Sequence, residues 1–180
     1  MVLIDEKKPI SIEEKASILG KTAIMGFGNP CRSDDGIAIY VIDELKQLVS
    51  EDNDSFTLFD MGTSAFEVLF QLQGHHRIII VDAVINTGEP AGTIYKLPAS
   101  EINAQIQDDP MVFLHSLKWD QALSYAKKIL REAYPEDIEV YLIAVNNTKL
   151  DIQLSEEVKR AGDKVIELLK DDILGISRKK

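Results

Sequence analysis

Hydrophobic and polar positions along this chain follow two rhythms, and each change of rhythm marks an element. Residues 22–27, Thr22 to Phe27, are a short apolar run that predicts a first strand. A turn follows, then a helix from about Asp34 to Leu48. Its predicted inward stripe is Ile37, Val41, Leu45 and Leu48, widened by Ala38 and Ile42. Ser55 to Phe59 predicts a second strand ending at Asp60. Ala65 to Gln73 predicts a short helix with Phe66, Leu69 and Phe70 inward. Arg77 to Val84 contains the unbroken run Ile78-Ile79-Ile80-Val81, which predicts a strand buried on both faces.

The second half continues the alternation. Gly92 to Leu97 predicts a fourth strand, reached through the turn Thr87-Gly88-Glu89-Pro90. Residues 98–114 are irregular. A helix follows from Ser116 to about Glu132, with Leu117, Ala122, Leu123 and Ile129 on its apolar side. Ile138 to Val145 predicts a fifth strand, and Ser155 to Ile173 a last helix. Strands alternating with helices imply an α/β domain, with a sheet covered by helices on both faces. Nothing in the pattern divides the chain, so residues 1–180 are one domain. Residues 1–21 form an N-terminal extension, in which Ser11-Ile12-Glu13-Glu14 has capping-box spacing. Residues 22–175 form the core, and 176–180 a basic tail.

Composition narrows the function. The chain of 180 residues carries a formal net charge of -10. That balance argues against nucleic acid and against an anionic membrane surface as partners. No apolar stretch approaches the roughly 18 residues of a membrane span. A single cysteine excludes an internal disulfide and fits a reducing cytoplasm.

Four features carry candidate chemistry. Gly26-Phe27-Gly28-Asn29-Pro30-Cys31-Arg32-Ser33-Asp34-Asp35-Gly36 joins the first strand to the first helix. Its glycines permit a sharp turn and close approach. It lacks the third glycine of a dinucleotide fingerprint and the Lys-Ser or Lys-Thr pair of a P-loop. Its acids also have an ordinary helix-capping use. Asp60-Met61-Gly62-Thr63-Ser64 ends the second strand, where a turn with a helix cap is the plain alternative. Asp82 closes the buried third strand, where a negative charge is costly unless something positive or hydrogen-bonding meets it. His115 stands at the entrance of a helix. His75 and His76 belong to the opposite end of the third strand and are expected at the surface.

If the strands run parallel, Asp35, Asp60, Asp82 and Asn146 all stand at the carboxyl edge of the sheet, where open α/β sheets bind ligands. Two carboxylates and one imidazole leave coordination positions open, and nickel, zinc or cobalt suits such a mixed set.

Taken in order, these segments resemble the [NiFe]-hydrogenase maturation endopeptidases. The resemblance rests on Gly26-Phe27-Gly28-Asn29 through Asp34-Asp35-Gly36, on Asp60-x-Gly-Thr, on Val81-Asp82-Ala83 and on His115-Ser116 before a helix. It covers about residues 22–145. It implies a three-layer αβα sandwich around a five-stranded, twisted, mostly parallel sheet. It implies metal ligands at Asp35, Asp82 and His115, catalysis by Asp35 and Asp82, and substrate recognition by Asp60, Gly62, Thr63, Gly28 and Asn29; the attacking water would be activated either by the metal or by a nearby carboxylate such as Asp60. The implied reaction removes the C-terminal extension of a [NiFe]-hydrogenase large-subunit precursor after nickel insertion. Nickel would arrive with the substrate, and zinc or cadmium could occupy the same position. The chain departs from the family pattern at Met61, where glycine is usual, and at Cys31, which is commonly aliphatic. Its long N-terminal extension is a further departure.

Two other readings share these residues. One is a self-contained metal-dependent peptidase or amidohydrolase, and the other a non-enzymatic metal carrier or docking protein on the same fold. The chain shows no Ser-His-Asp or Cys-His ordering that points to a covalent nucleophile.

Overall fold

The computed structural model describes residues 21–49, 55–102 and 117–173. Its centre is β3 (His75–Val84). Ile78, Ile79, Ile80 and Val81 of this strand have no exposed surface, which is worth about 1.5–3 kcal/mol for each side chain. The strand can bury four in a row because it has a covered sheet face on each side. Ile79 and Val81 enter one core, and Ile78 and Ile80 the other.

Around it stand β1 (Lys21–Phe27), β2 (Phe56–Gly62), β4 (Ile94–Pro98) and β5 (Asp137–Ala144). The strand order is β2-β1-β3-β5-β4. β1 pairs in parallel with β2 and β3, β3 pairs in parallel with β5, and β4 is an antiparallel edge. Pro98 ends that edge strand, where its missing N–H leaves no gap inside the ladder.

Helices cover both faces. α1 (Ile37–Leu48) and α4 (Glu156–Ile173) share one core with Ile24 and Tyr141. α2 (Val68–Gln71) and α3 (Trp119–Leu130) share the other with Ala23, Met25 and Val140. The three-layer sandwich with a mostly parallel five-stranded sheet is as expected. Among the described residues no helix is long and apolar enough to cross a membrane. Residues 1–20 of the N-terminal extension, with the capping-box sequence at Ser11, and also His115-Ser116 and the basic tail lie outside the described residues, whereas Lys21 opens β1.

Several local expectations are corrected. The first helix opens with a 3-10 turn, Ser33–Gly36, and becomes α-helical only at Ile37. No side chain caps it, because Asp34 bonds elsewhere. Leu48 is 51% exposed. Val49 leaves the helix in extended conformation and packs against the core in its place. Phe66 and Phe70 are also exposed, at 39% and 61%. Ala65–Glu67 winds as a 3-10 turn, and its tighter pitch shifts the inward set to Ala65, Val68 and Leu72. The two rings stack edge to face, 5.5 Å apart.

Ile129 is 65% exposed. The inward stripe of α3 is Trp119, Ala122, Leu123 and Ala126, and Leu130 continues its centre. His75 is half-buried rather than superficial. Its Nδ1 lies 2.9 Å from the Gln71 carbonyl, its Nε2 3.4 Å from Thr57 Oγ1, and its ring stands edge-on to Phe59. Burial is the main cause lowering its pKa. His76 is exposed, as expected.

Candidate active site

The strand order reverses between β1 and β3: the chain leaves β1 toward β2, then crosses back to β3. In an open α/β sheet the crevice beyond such a reversal is where ligands bind. Here it is a cleft of about 530 Å³, and both Asp35 and Asp82 line it.

Asp35 is placed by the loop after β1. Gly28 has φ 148°, and a Cβ there would fall 2.0 Å from the Asp35 carbonyl oxygen. Only glycine lets the two backbones touch. The next residue completes the hold, because the Asn29 N–H donates to Asp35 Oδ2 at 3.0 Å. Asn29 Oδ1 in turn accepts the Cys31 N–H at 2.9 Å, a local turn that fixes the loop. The pairing of Gly-x-Gly-Asn with Asp-Asp-Gly is thus a packing relation: the first half of the loop is the seat of the second.

The neighbouring aspartate faces the other way. Asp34 is 1% exposed. Its Oδ1 accepts the Ser155 N–H at 2.7 Å and its Oδ2 accepts the Ser155 hydroxyl at 2.9 Å. The carboxylate therefore sits at the amino end of α4, where the helix dipole favours a negative charge. Ser33 supports the same junction: its hydroxyl donates to the Gln153 carbonyl at 2.6 Å and accepts from Asn147 Nδ2 at 2.9 Å.

Asp82 comes from the end of β3, next to a parallel partner strand on each side. Its Oδ1 accepts the Ala83 N–H at 2.8 Å and its Oδ2 accepts the indole N–H of Trp119 at 2.7 Å. Burial pushes its carboxyl up to about 7. The two hydrogen bonds pull the other way, and the charges of Asp35 and Asp120 push it higher still. A cation in the cleft would relieve that repulsion.

The other predicted residues divide. Gly28, Gly62 and Thr63 line the cleft. Asp60 does not: it is exposed, and its Oδ1 accepts the Gly62 N–H at 2.9 Å, shaping the turn. Asn29 reaches Asp35 through its backbone N–H while its side chain turns back on the loop, and it too lies outside the lining. His115 is outside the described residues. Among those residues no cluster of three histidine, cysteine or acidic side chains is placed to hold a metal ion. Asp35 and Asp82 supply two carboxylates to one space, a donor set that fits a divalent cation with further ligands from elsewhere.

Sequence reasoning missed Arg32, Lys118, Trp119 and Asp120, all of which line the cleft. Trp119 had one available signal. It is the only tryptophan of the chain, and it opens the helix that follows His115-Ser116.

Comparison with known proteins agrees with this geometry. The family model HycI, described as hydrogenase maturation protease, matches residues 39–172. A Methanocaldococcus jannaschii protein named as a candidate hydrogenase maturation protease is 32% identical over 157 residues, covering 83% of this chain and 94% of the relative. Among solved structures, the [NiFe] hydrogenase maturation protease HybD from Thermococcus kodakarensis superposes with a TM-score of 0.64 at 18% identity, covering 85% of this chain and 99% of that one. HycI from Thermococcus kodakarensis KOD1 gives 0.65 at 21% identity, covering 86% and 93%. At such identities the two structures speak to the fold alone.

Proposed function

The chain belongs to the hydrogenase maturation protease family, and we propose that it removes the C-terminal extension of a [NiFe]-hydrogenase large-subunit precursor in the cytoplasm, recognising nickel already held by that substrate. The observation that carries this proposal is the convergence of Asp35 and Asp82 on one cleft at the β1/β3 reversal. Two carboxyl groups facing one space, each stabilised as its anion by a cation, suit a cation better than a neutral peptide alone.

In this scheme the substrate brings its nickel to the cleft, and Asp35, Asp82 and His115 engage it there. Zinc or cadmium would fit the same donors. Near neutral pH Asp82 holds a proton for much of the time. Engagement of the cation displaces that proton, so both carboxylates bind ionised. The Gly28 and Gly62-Thr63 loops form part of the cleft wall and lie along the incoming chain.

Hydrolysis needs an activated water. With Asp35 and Asp82 committed to the cation, a third carboxylate is free to act as base. The sequence leaves open whether the metal itself or a carboxylate such as Asp60 activates the water. Asp120 lines the cleft and Asp60 does not, which favours Asp120.

The test is to incubate the protein with nickel-loaded and nickel-free precursor and to measure precursor mass. Loss of the extension from the nickel-loaded form alone is the expected result. Equal cleavage of both forms would point to a self-contained metallopeptidase. Stable binding without a change of mass would point to a carrier or docking protein.

A further inference from the structure

Trp119 is the first residue of α3, and it is 9% exposed. Its indole forms part of the cleft wall and also of a second cavity of about 180 Å³ behind it. Two contacts meet on this one side chain. The indole N–H donates to Asp82 Oδ2 at 2.7 Å. The ring packs against Phe27, with centroids 6.4 Å apart. Phe27 adjoins Gly28, whose backbone carries Asp35. The indole therefore ties the start of α3 to both strand ends that present carboxylates.

A carboxylate oxygen has two lone pairs. The Ala83 N–H takes one on Oδ1, and the Trp119 indole takes one on Oδ2. One lone pair on each oxygen remains for a cation, and the two donors together fix the plane of the carboxylate. The indole is the only side chain seen to bond Asp82 among the described residues. A hydrogen bond of this kind sets the orientation of a ligand without touching the metal, and removing one ordinarily costs about 10- to 100-fold in affinity or activity.

We propose that Trp119 is a positioning residue of this site: its indole N–H holds Asp82 in the orientation that meets the cation of the substrate. The proposal rests on the nickel-recognition function given above. The Trp119–Asp82 bond also makes the residue a reporter. Because the chain has one tryptophan, indole fluorescence reports on the surroundings of this side chain alone.

The experiment compares the full-length wild-type protein with Trp119→Phe, which keeps a packed ring and loses the donor, and Trp119→His, which keeps a ring N–H. Each is assayed for cleavage of nickel-loaded precursor and for melting temperature, and each is titrated with Ni²⁺ alone by calorimetry. The wild type is also followed by fluorescence during the titration. In Trp119→Phe, kcat should fall about 10- to 100-fold with KM for the precursor within about twofold. Trp119→His should recover part of the loss. Ni²⁺ should change the wild-type indole emission, and Asp82→Asn should remove that response.

Unchanged kcat and unchanged Ni²⁺ affinity in Trp119→Phe would overturn the positioning role. If Trp119→Phe does not fold, wild-type emission indifferent to Ni²⁺ would overturn it. If the wild type binds Ni²⁺ but cleaves no precursor, the protease function fails by itself, and the Trp119→Phe affinity still decides the role of the indole. If the wild type neither binds Ni²⁺ nor cleaves, both fail.

Discussion

Asp34 and Asp35 are adjacent in the chain and belong to two different regions. Asp34 lies in a closed polar junction, with both oxygens bonded to Ser155 and Ser33 and Asn147 beside it. Asp35 lies in the open cleft, held at one oxygen by a backbone N–H and facing a second carboxylate. In the junction every acid has its donors, and the result is a fixed joint between the first loop and the last helix. In the cleft acids face acids, and the charge is left for something that comes from outside. A buried acid closed off from any cavity by its own donors, as Asp34 is, is evidence of structure. An acid set opposite another acid is evidence of a ligand.

The sharpest way to break this contrast is to neutralise the two regions separately. Asp82→Asn and Asp35→Asn should each lower precursor cleavage by about 1,000-fold or more, since each removes a charge from the cation, while near-ultraviolet circular dichroism stays native. Asp120→Asn should follow with a loss of about 100-fold in kcat, the low end for a general base, and Asp60→Asn should do less. The reverse order would return the base to Asp60.

Asp34→Ala tests the other side. It leaves the half-buried Ser155 N–H and hydroxyl without their acceptor, at a cost of about 2–4 kcal/mol in chemical denaturation. The activity of the molecules that remain folded should be near wild type. A variant that is stable and inactive would place Asp34 with the cleft after all.

The pH dependence of stability tests the cleft directly. Asp82 titrates near 7 in the folded protein and near 3.8 when unperturbed. Between those values the folded state keeps a proton that the unfolded chain has released. The contribution of Asp82 to stability is therefore complete below about pH 4 and is lost as pH rises through about 7. Measured against Asp82→Asn across that window, the wild type should lose stability with rising pH, while Ni²⁺ affinity rises. A flat difference would show that the carboxyl is not held protonated.

The smallest effect is expected at Cys31. It is exposed, and its backbone rather than its thiol takes part in the loop contacts. Cys31→Ser should change cleavage by less than about twofold.

Much of the fold was legible because burial leaves a strong trace in composition. The Ile78-to-Val81 run could only be a strand covered on both faces, and the alternation around it implied the layers. What failed were the ends of helices. Leu48, Phe66 and Phe70 fit a helical stripe on paper, yet they are exposed because a helix stopped or tightened there, and Ile129 lies off the stripe that α3 turns inward. Local pitch depends on where backbone and side-chain donors find partners, and those partners are distant in sequence.

The sequence alone determined that the acids at the ends of successive parallel strands share one edge, since parallel pairing brings their carboxyl ends to the same side. The resemblance implied Asp35, but hydrophobic rhythm held no reason why it, and not the adjacent Asp34, faces the cleft. The choice was made by Ser155, 121 residues from Asp34, which takes one carboxylate into the junction and leaves the other to the cleft. Trp119 acquired its place at Asp82 in the same way. Hydrophobic rhythm is a property of neighbours in the chain, but the direction of a carboxylate depends on the donors that folding brings to it.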